Sequence, residues 1–430
     1  MNAINYNKKI LSLLFVVIVL FSFTSVFSLL AVKTNIAIIK IWKELCIIFV
    51  YLICIIFFLL SKKVSVKFFI FSLILPIFTT ILYLISASGD NKVLVFYQFK
   101  SDILPFLFPL AMFCLIKNNE QAQLIYRKVC KLFIAIGLIN VVFIFIERFF
   151  TSWFLVFLQI DDMNNQSGAS GIRLDNTSNG ISYGLRAMGT MTTFINAGTL
   201  MILCVFILLE SKLFKLKTQI LLTPLFISAA IATTYKTAMV TLAFYIPLKL
   251  FFVFIRGDIG KQLVIAVYTV LCFILMAISF NSYFLYNKID SPDLKKAAYN
   301  SVYLRILQHN DILKDVENKS ILTGVGIGVN GTQGPPEIKS KYSSKALDST
   351  YINLLSNYGL LGVTIYLSIF MLILIKLIFV GGLGDLLACY LIFFHIGIEF
   401  FVNNMLMNFP LNVYISLIIG FSLFFKKTYK

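Results

Sequence analysis

Arg186 stands in the stretch GLRAMGTMTTFINAG, just before a long apolar run, and Arg305 stands in SVYLRILQHND, inside a long hydrophilic segment. An arginine is charged at every physiological pH and offers a planar fork of donors that suits phosphate better than a lysine point charge. Two such forks from separate loops can converge on one anion; each can equally snorkel to lipid headgroups or close its own loop. Lys236, in ATTYKTAMV, lies at a turn so tight that the apolar runs flanking it form a hairpin, where its charge faces headgroups or an anion. Glu399 lies in FFHIGIEFFVNN, inside another apolar run near its end, with His395 one turn earlier. An ionisable group at mid-membrane costs about 2.5–3.5 kcal/mol on insertion scales, and less near the interface. Glu399 must therefore face a bundle interior or a wet cavity, either as a structural pair with His395 or on the side of a substrate. A last polar group is the trio Asp348, Ser349 and Thr350, which opens DSTYINLLSNYGLLG at the mouth of an apolar run carrying Gly359 and Gly362.

These residues need a frame, and the composition supplies it. The chain has 430 residues, 59% hydrophobic and 13% charged, with a mean hydropathy of +0.91. Soluble domains are about half apolar and about a quarter charged, so this chain belongs in a bilayer. A span needs roughly 20 apolar residues. About twelve such runs can be read, over 10–31, 41–60, 68–87, 96–116, 129–147, 191–209, 219–235, 237–255, 262–284, 351–375, 384–402 and 409–425. The expected fold is an all-α polytopic membrane protein, one integral domain over residues 1–430.

The net charge of +18 first has to be tested as a topology signal. With the N-terminus inside, the inner face receives Lys8, Lys9, KKVSVK (62–67), KNNEQAQLIYRK (117–128), ESKLFKLK (210–217), Arg256, Lys261 and the closing KKTYK. The short outer connectors carry few basic residues, so both ends are expected in the cytoplasm. The excess charge then needs no nucleic-acid partner.

Two long connectors fall on the outer side, 148–190 and 285–350. The first begins with the aromatic stretch RFFTSWFLVFLQI, suited to a helix lying in the interface, and continues rich in Gly, Ser and Asn. The second contains an amphipathic helix, with Ser291 as N-cap and Pro292 and Asp293 in its first turn. Tyr299, Val302, Ile306 and Leu313 form its apolar stripe, which puts Arg305 and His309 on another face, with His309 read as a surface residue. The glycine-rich GVGIGVNGTQGPP follows.

Soluble-enzyme signatures are missing from the sequence. It contains no GxxxxGK[ST], no HExxH and no CxxC, and its seven cysteines lie in or beside apolar runs without metal-ligand spacing. Neither a metal nor another cofactor is expected. The first outer connector, VKTNIAIIK, has no carboxylate, which argues against membrane glycosyltransferases that hold a divalent metal there.

Taken in order, R-x-x-G at Arg186–Gly189 with Asn196 after it, the charged turn at Lys236, Arg305 on a helix running into LTGVGIG, and DSTYINLLSNYGLLG form a series. It resembles the O-antigen polymerase and ligase superfamily, over roughly residues 150–370 by motif. The resemblance implies a GT-C-like bundle in the bacterial inner membrane. It implies transfer of a glycan from undecaprenyl pyrophosphate to a hydroxyl at the periplasmic face, without metal or nucleotide sugar. Arg186 and Arg305 would stabilise charge growing on the leaving phosphate. In the ligase branch the last motif begins with histidine, eleven and fourteen residues before its two glycines; here Asp348 holds that place. This departure favours a Wzy-type polymerase, with Asp348 as base, as orienter of the acceptor, or as N-cap of the following helix. At the hairpin turn the family often has arginine, and this chain has Lys236.

A polymerase holds two lipid pyrophosphates. Lys339, Lys341 and Lys345, in EIKSKYSSKALD, either attract the acceptor's pyrophosphate or form a solvated basic loop. The substrates implied are undecaprenyl-pyrophosphate-linked glycans among membrane lipids, with a chain-length-regulating co-polymerase as a further partner. A lipid-linked oligosaccharide flippase is the alternative from another class, but transport by alternating access favours internal repeats and midplane charges. Here no repeat is visible, and the polar residues gather in outer loops and at outer span ends.

Overall fold

The computed structural model describes residues 3–34, 36–61, 70, 73, 77, 92–151, 153, 186–253, 258–280, 301–331, 347–379, 385–399 and 405–425. All regular structure among them is helical. The third expected span, 68–87, lies almost wholly outside the described residues, as do Lys339, Lys341, Lys345, the cap residues Ser291, Pro292 and Asp293, most of the first long connector and the parts of the second at 285–300 and 332–346.

The chain opens with α1 (Ala3–Phe21) and α2 (Thr24–Thr34), bent by 67° at the break between them. The first expected span is thus a broken one. A short α3 (Ala37–Lys40) leads to α4 (Trp42–Ser61). After α5 (Lys92–Asp102), a 3-10 turn at Leu104–Phe106 carries Pro105 and redirects the chain into α6 (Leu107–Cys114). A proline in the first turn of a helix costs no hydrogen bond, which suits it to such a junction.

The next helix, α7 (Asn119–Phe149), is the longest at 31 residues, and its start is set by Asn118, whose side chain accepts from Gln121 N at 2.9 Å. At the centre lies α8 (Phe194–Glu210), apolar on every side and buried almost throughout. An all-round apolar helix belongs inside a bundle. It packs on α7, α9 (Leu216–Ala232), α10 (Lys236–Val253), α14 (Asp385–Ile392) and α15 (Leu411–Phe421). Beyond α11 (Asp258–Phe280) and α12 (Ser301–Lys319), α13 (Thr350–Phe379) flanks the core, and α14 continues as a π-helical stretch, Phe393–Glu399.

Successive helices run back and forth, so polar pairs gather at the two ends of the bundle. At one end Glu210, closing α8, accepts from Tyr245 and Lys249 of α10. There too Lys261 meets Asp385 at 2.6 Å, and Lys376 donates to the Ser422 carbonyl at 2.6 Å. The other end holds most of the candidate residues. The first and last described helices are tied together within the core, where the Tyr414 hydroxyl of α15 donates to the Ile18 carbonyl of α1 at 2.7 Å.

Three helical stretches, Val93–Cys114, Asn119–Phe149 and Thr350–Phe379, are each long and apolar enough to cross a membrane, and the bent pair α1–α2 makes a fourth if it is one span. Four shorter apolar helices, Phe194–Glu210, Leu216–Ala232, Gly260–Leu275 and Leu411–Phe421, overlap other expected spans. Large apolar side chains such as Phe49, Leu221, Leu250 and Leu372 are exposed. The apolar helices mark a membrane-embedded protein.

Candidate functional site

The site is built from four segments brought to one end of the bundle. The first is the turn before α8. Arg186 is half-buried, with its guanidinium 4.7 Å from the centre of the Phe194 ring. The turn after it is held from below by α7. The Glu147 carboxylate accepts from Met188 N at 2.6 Å and from Gly189 N at 3.1 Å, and Asn140 Oδ1 accepts from Thr190 N at 3.0 Å. Gly189 has φ +60°, and a β-carbon there would lie 2.6 Å from Asn140 Oδ1. The glycine of R-x-x-G is thus demanded by backbone geometry and by the closeness of α7. The Thr190 hydroxyl donates to the Ser22 carbonyl at 2.6 Å, which ties the same turn to the bend between α1 and α2.

The second segment is the hairpin turn between α9 and α10. Lys236 is exposed at the start of α10, while Tyr235 beside it is buried. Tyr235 packs edge-on against Phe194, with ring centres 6.2 Å apart. Phe194 therefore touches the guanidinium of Arg186 on one hand and the residue preceding Lys236 on the other.

The third segment is the π-helical stretch Phe393–Glu399. Glu399 is 0% exposed. Its carboxylate accepts from the Thr199 hydroxyl at 2.6 Å and the Tyr235 hydroxyl at 3.2 Å, and its other oxygen lies 3.2 Å from His395 Nδ1. The His395 pair expected from the spacing is present, and two hydroxyls complete the shell. A buried charge with this many partners is far less costly than a bare one. Glu399 sits directly behind the Lys236 turn, reaching it through Tyr235.

The fourth segment is the mouth of α13. Asp348 is exposed, and Ser349 and Thr350 are buried. The first helical bond runs from Asn353 N to the Ser349 carbonyl at 2.9 Å, so Ser349 occupies the cap position and Asp348 precedes it. The Thr350 hydroxyl accepts from Met405 N at 2.9 Å, and Tyr351 donates to the Ile396 carbonyl. The second of these bonds joins the mouth to the stretch that carries Glu399.

The two glycine-containing motifs prove to be one unit. Gly359 breaks α13 with φ 64° and ψ −167°. A helix broken this way leaves orphaned carbonyl and N–H groups that must find partners. The loop after α12 supplies them: Val325 N donates to the Ser356 carbonyl at 2.7 Å, and Leu360 N donates to the Ile321 carbonyl at 2.9 Å. Gly324 and Gly359 interlock here, since a β-carbon at 324 would lie 2.5 Å from the Ser356 oxygen. Asn357 fixes the next turn by accepting from Gly328 N at 2.7 Å, and Asn330 donates to the Ser356 hydroxyl at 3.1 Å.

Arg305 lies on α12, which leads into this loop, and its backbone position is one turn before His309. His309 corrects the expectation of a surface residue: it is 3% exposed, on the face that Ile312 and Val316 also bury. The turn of α12 is set by the α13 mouth and the glycine loop, which pack on Ile312 and Val316.

Sequence reasoning missed a buried polar group between α5 and α13. Asp102 accepts from Gln98 Nε2 at 2.7 Å and from the Tyr358 hydroxyl at 2.9 Å, and Gln98 also donates to Asn353 Oδ1 at 3.3 Å. It missed Asn140 and Glu147 as well. For Asp102 and Glu147 the available signal was the one used for Glu399, an ionisable residue within or at the edge of a membrane-length apolar run; for Asn140 it was a polar residue inside one.

Two basic residues lie near one end of the bundle, half-buried Arg186 over the Phe194 ring and exposed Lys236 next to Tyr235, which packs on the same ring. Asp348 lies on a neighbouring segment of the same end. Among the described residues no three of His, Cys, Asp and Glu come together as a metal-binding set. Compared with protein-family models, curated proteins and solved structures, the chain matches none.

Proposed function

We propose that this chain is a Wzy-type O-antigen polymerase of the inner membrane, with about twelve spans, cytoplasmic termini and a GT-C-like arrangement facing the periplasm. The observation that carries the reading is the order of four motifs, at 186–189, at 236, at 305–328 and at 348–362. Its support in the structure is that the last two interlock through Ser356 and Val325, while the first two meet at Phe194.

In the reaction, a hydroxyl of one lipid-linked repeat unit attacks the anomeric carbon of the glycan on a second lipid. The new bond is carbon to hydroxyl oxygen; the bond broken is carbon to phosphate oxygen. The electron pair leaves with undecaprenyl pyrophosphate, and the hydroxyl proton passes to Asp348 or to water. Arg186 and Arg305 would bind the leaving pyrophosphate, where charge grows most in the transition state. Lys236 would add a point charge to the same anion, and Glu399 would keep its turn in place. Lys339, Lys341 and Lys345 would draw the acceptor's pyrophosphate. Neutralising those three should slow acceptor-limited turnover while leaving donor binding intact; a fall in donor binding would refute that assignment. A co-polymerase that sets chain length is the partner such an enzyme would take.

Deleting the gene in the source strain and resolving the surface lipopolysaccharide on a gel tests the reading. One repeat unit on the lipid core would support a polymerase. Bare core with long lipid-linked polymer left behind would make the chain a ligase, and bare core without polymer a flippase.

A further inference from the structure

From the carboxylate that grips the Arg186 turn, we infer that Glu147 is the positioning residue for Arg186, acting with Asn140 from α7; the inference rests on the reading of Arg186 as a pyrophosphate ligand. Residues 186–193 lack helical structure and precede α8 directly. Such a segment has no regular hydrogen bonds of its own, so something else must fix its backbone. Three successive N–H groups, of Met188, Gly189 and Thr190, all point at α7 and are taken by Glu147 Oε2 and Asn140 Oδ1. Both acceptors are buried, at 0% and 1% exposure. Asn140 is itself oriented by donating to the Ile136 carbonyl at 3.2 Å.

The side chain chosen for this task is informative. Glu147 could have paired with a cation, but Oε2 is spent on two backbone donors, and its Oε1 has no hydrogen-bond partner among the described residues. Glu147 therefore holds the turn through backbone bonds rather than neutralising the arginine. The guanidinium lies 4.7 Å from the Phe194 ring, at the start of the buried α8. A group meant to meet charge that develops during reaction works best when held in place beforehand, because no reorganisation is then needed. The clamp reaches further, since Thr190 is also bonded to Ser22 and Ser25 at the α1–α2 bend. These bonds tie that bend to the arginine turn.

Only the acceptor oxygen is required by this geometry, so Glu147→Gln should preserve the clamp and Glu147→Ala should release it. Gly189→Ala attacks the same turn from the other side, by driving a methyl against Asn140, and leaves Glu147 untouched. The test is a nitroxide spin label at Arg186→Cys in the full chain with its seven native cysteines replaced by alanine, in lipid nanodiscs, with folding checked by size-exclusion. The label should be immobilised with Glu147 or Gln at 147, and mobile with Glu147→Ala or Gly189→Ala. An equally immobile label in both disrupted variants would overturn the inference.

Polymer formation is then read in chains that keep Arg186. Activity retained in Glu147→Gln and reduced at least tenfold in Glu147→Ala supports the positioning role. A label freed by Glu147→Ala with polymer unchanged would uphold the clamp and refute Arg186 as a ligand of the reaction. Polymer lost with the label still immobile would give Glu147 another task and overturn the positioning role.

Discussion

Gly359 and Leu322 meet backbone against backbone: a β-carbon at 359 would lie 2.1 Å from the Leu322 carbonyl oxygen. Neither group can retreat, because Leu361 N also donates to that carbonyl, at 3.3 Å, and Leu360 N donates to Ile321. The break in α13 and the loop after α12 are therefore a single joint. Gly359→Ala should destabilise the protein by roughly 3 kcal/mol, combining a strained φ with overpacking. Gly397→Ala, whose new methyl would meet side chains at 3.3 Å and beyond, should cost much less. Thermal unfolding of both variants in detergent checks the contrast; equal midpoints would show that the joint can slip.

Arg186→Lys keeps a positive charge and can remain beside Phe194, so stability should change by less than about 1 kcal/mol. The fork of donors is lost. If Arg186 binds the leaving phosphate, the transfer rate should fall about 100-fold. A transfer assay with lipid-linked repeat units, paired with a melting curve, separates the two effects.

Glu399→Ala leaves the hydroxyls of Thr199 and Tyr235 and the ring of His395 without their common acceptor. A loss of about 3 kcal/mol is expected for a broken buried network of this kind. Glu399→Gln retains an acceptor oxygen and should lose less than half of that. Unfolding midpoints of the pair measure it, and a Glu399→Ala protein as stable as the parent would contradict the network's role.

Asp348 precedes the cap of α13 and is exposed, so Asp348→Asn should leave stability within about 0.5 kcal/mol. Transfer should nonetheless slow if Asp348 takes the acceptor proton. Ser349→Ala supplies the contrast, a buried change at the cap position itself. A normal rate in Asp348→Asn would reduce that residue to part of the loop.

The helical, membrane-embedded character was legible because apolar run length reports directly on helices in lipid. Glu399 with His395 was legible too, since residues four apart share a helix face. The Gly324–Gly359 joint was not, although both stretches stood out, because nothing local tells two loops that they will dock. The same holds for Glu147 and Gly189, which meet across 42 residues through a helix and a turn. His309 was misjudged for a related reason. The polarity of α12 identifies a stripe, but which face is covered depends on α13 and the glycine loop.

The most direct measurement uses the purified chain in lipid nanodiscs with one undecaprenyl-pyrophosphate-linked repeat unit as the only sugar source. The products would be resolved by mass, beside an Arg186→Ala control. The account predicts dimers and longer chains of repeat units, one undecaprenyl pyrophosphate released per bond formed, and little product in the control. Repeat units returned unchanged by a folded protein, or chains formed equally well without Arg186, would contradict it.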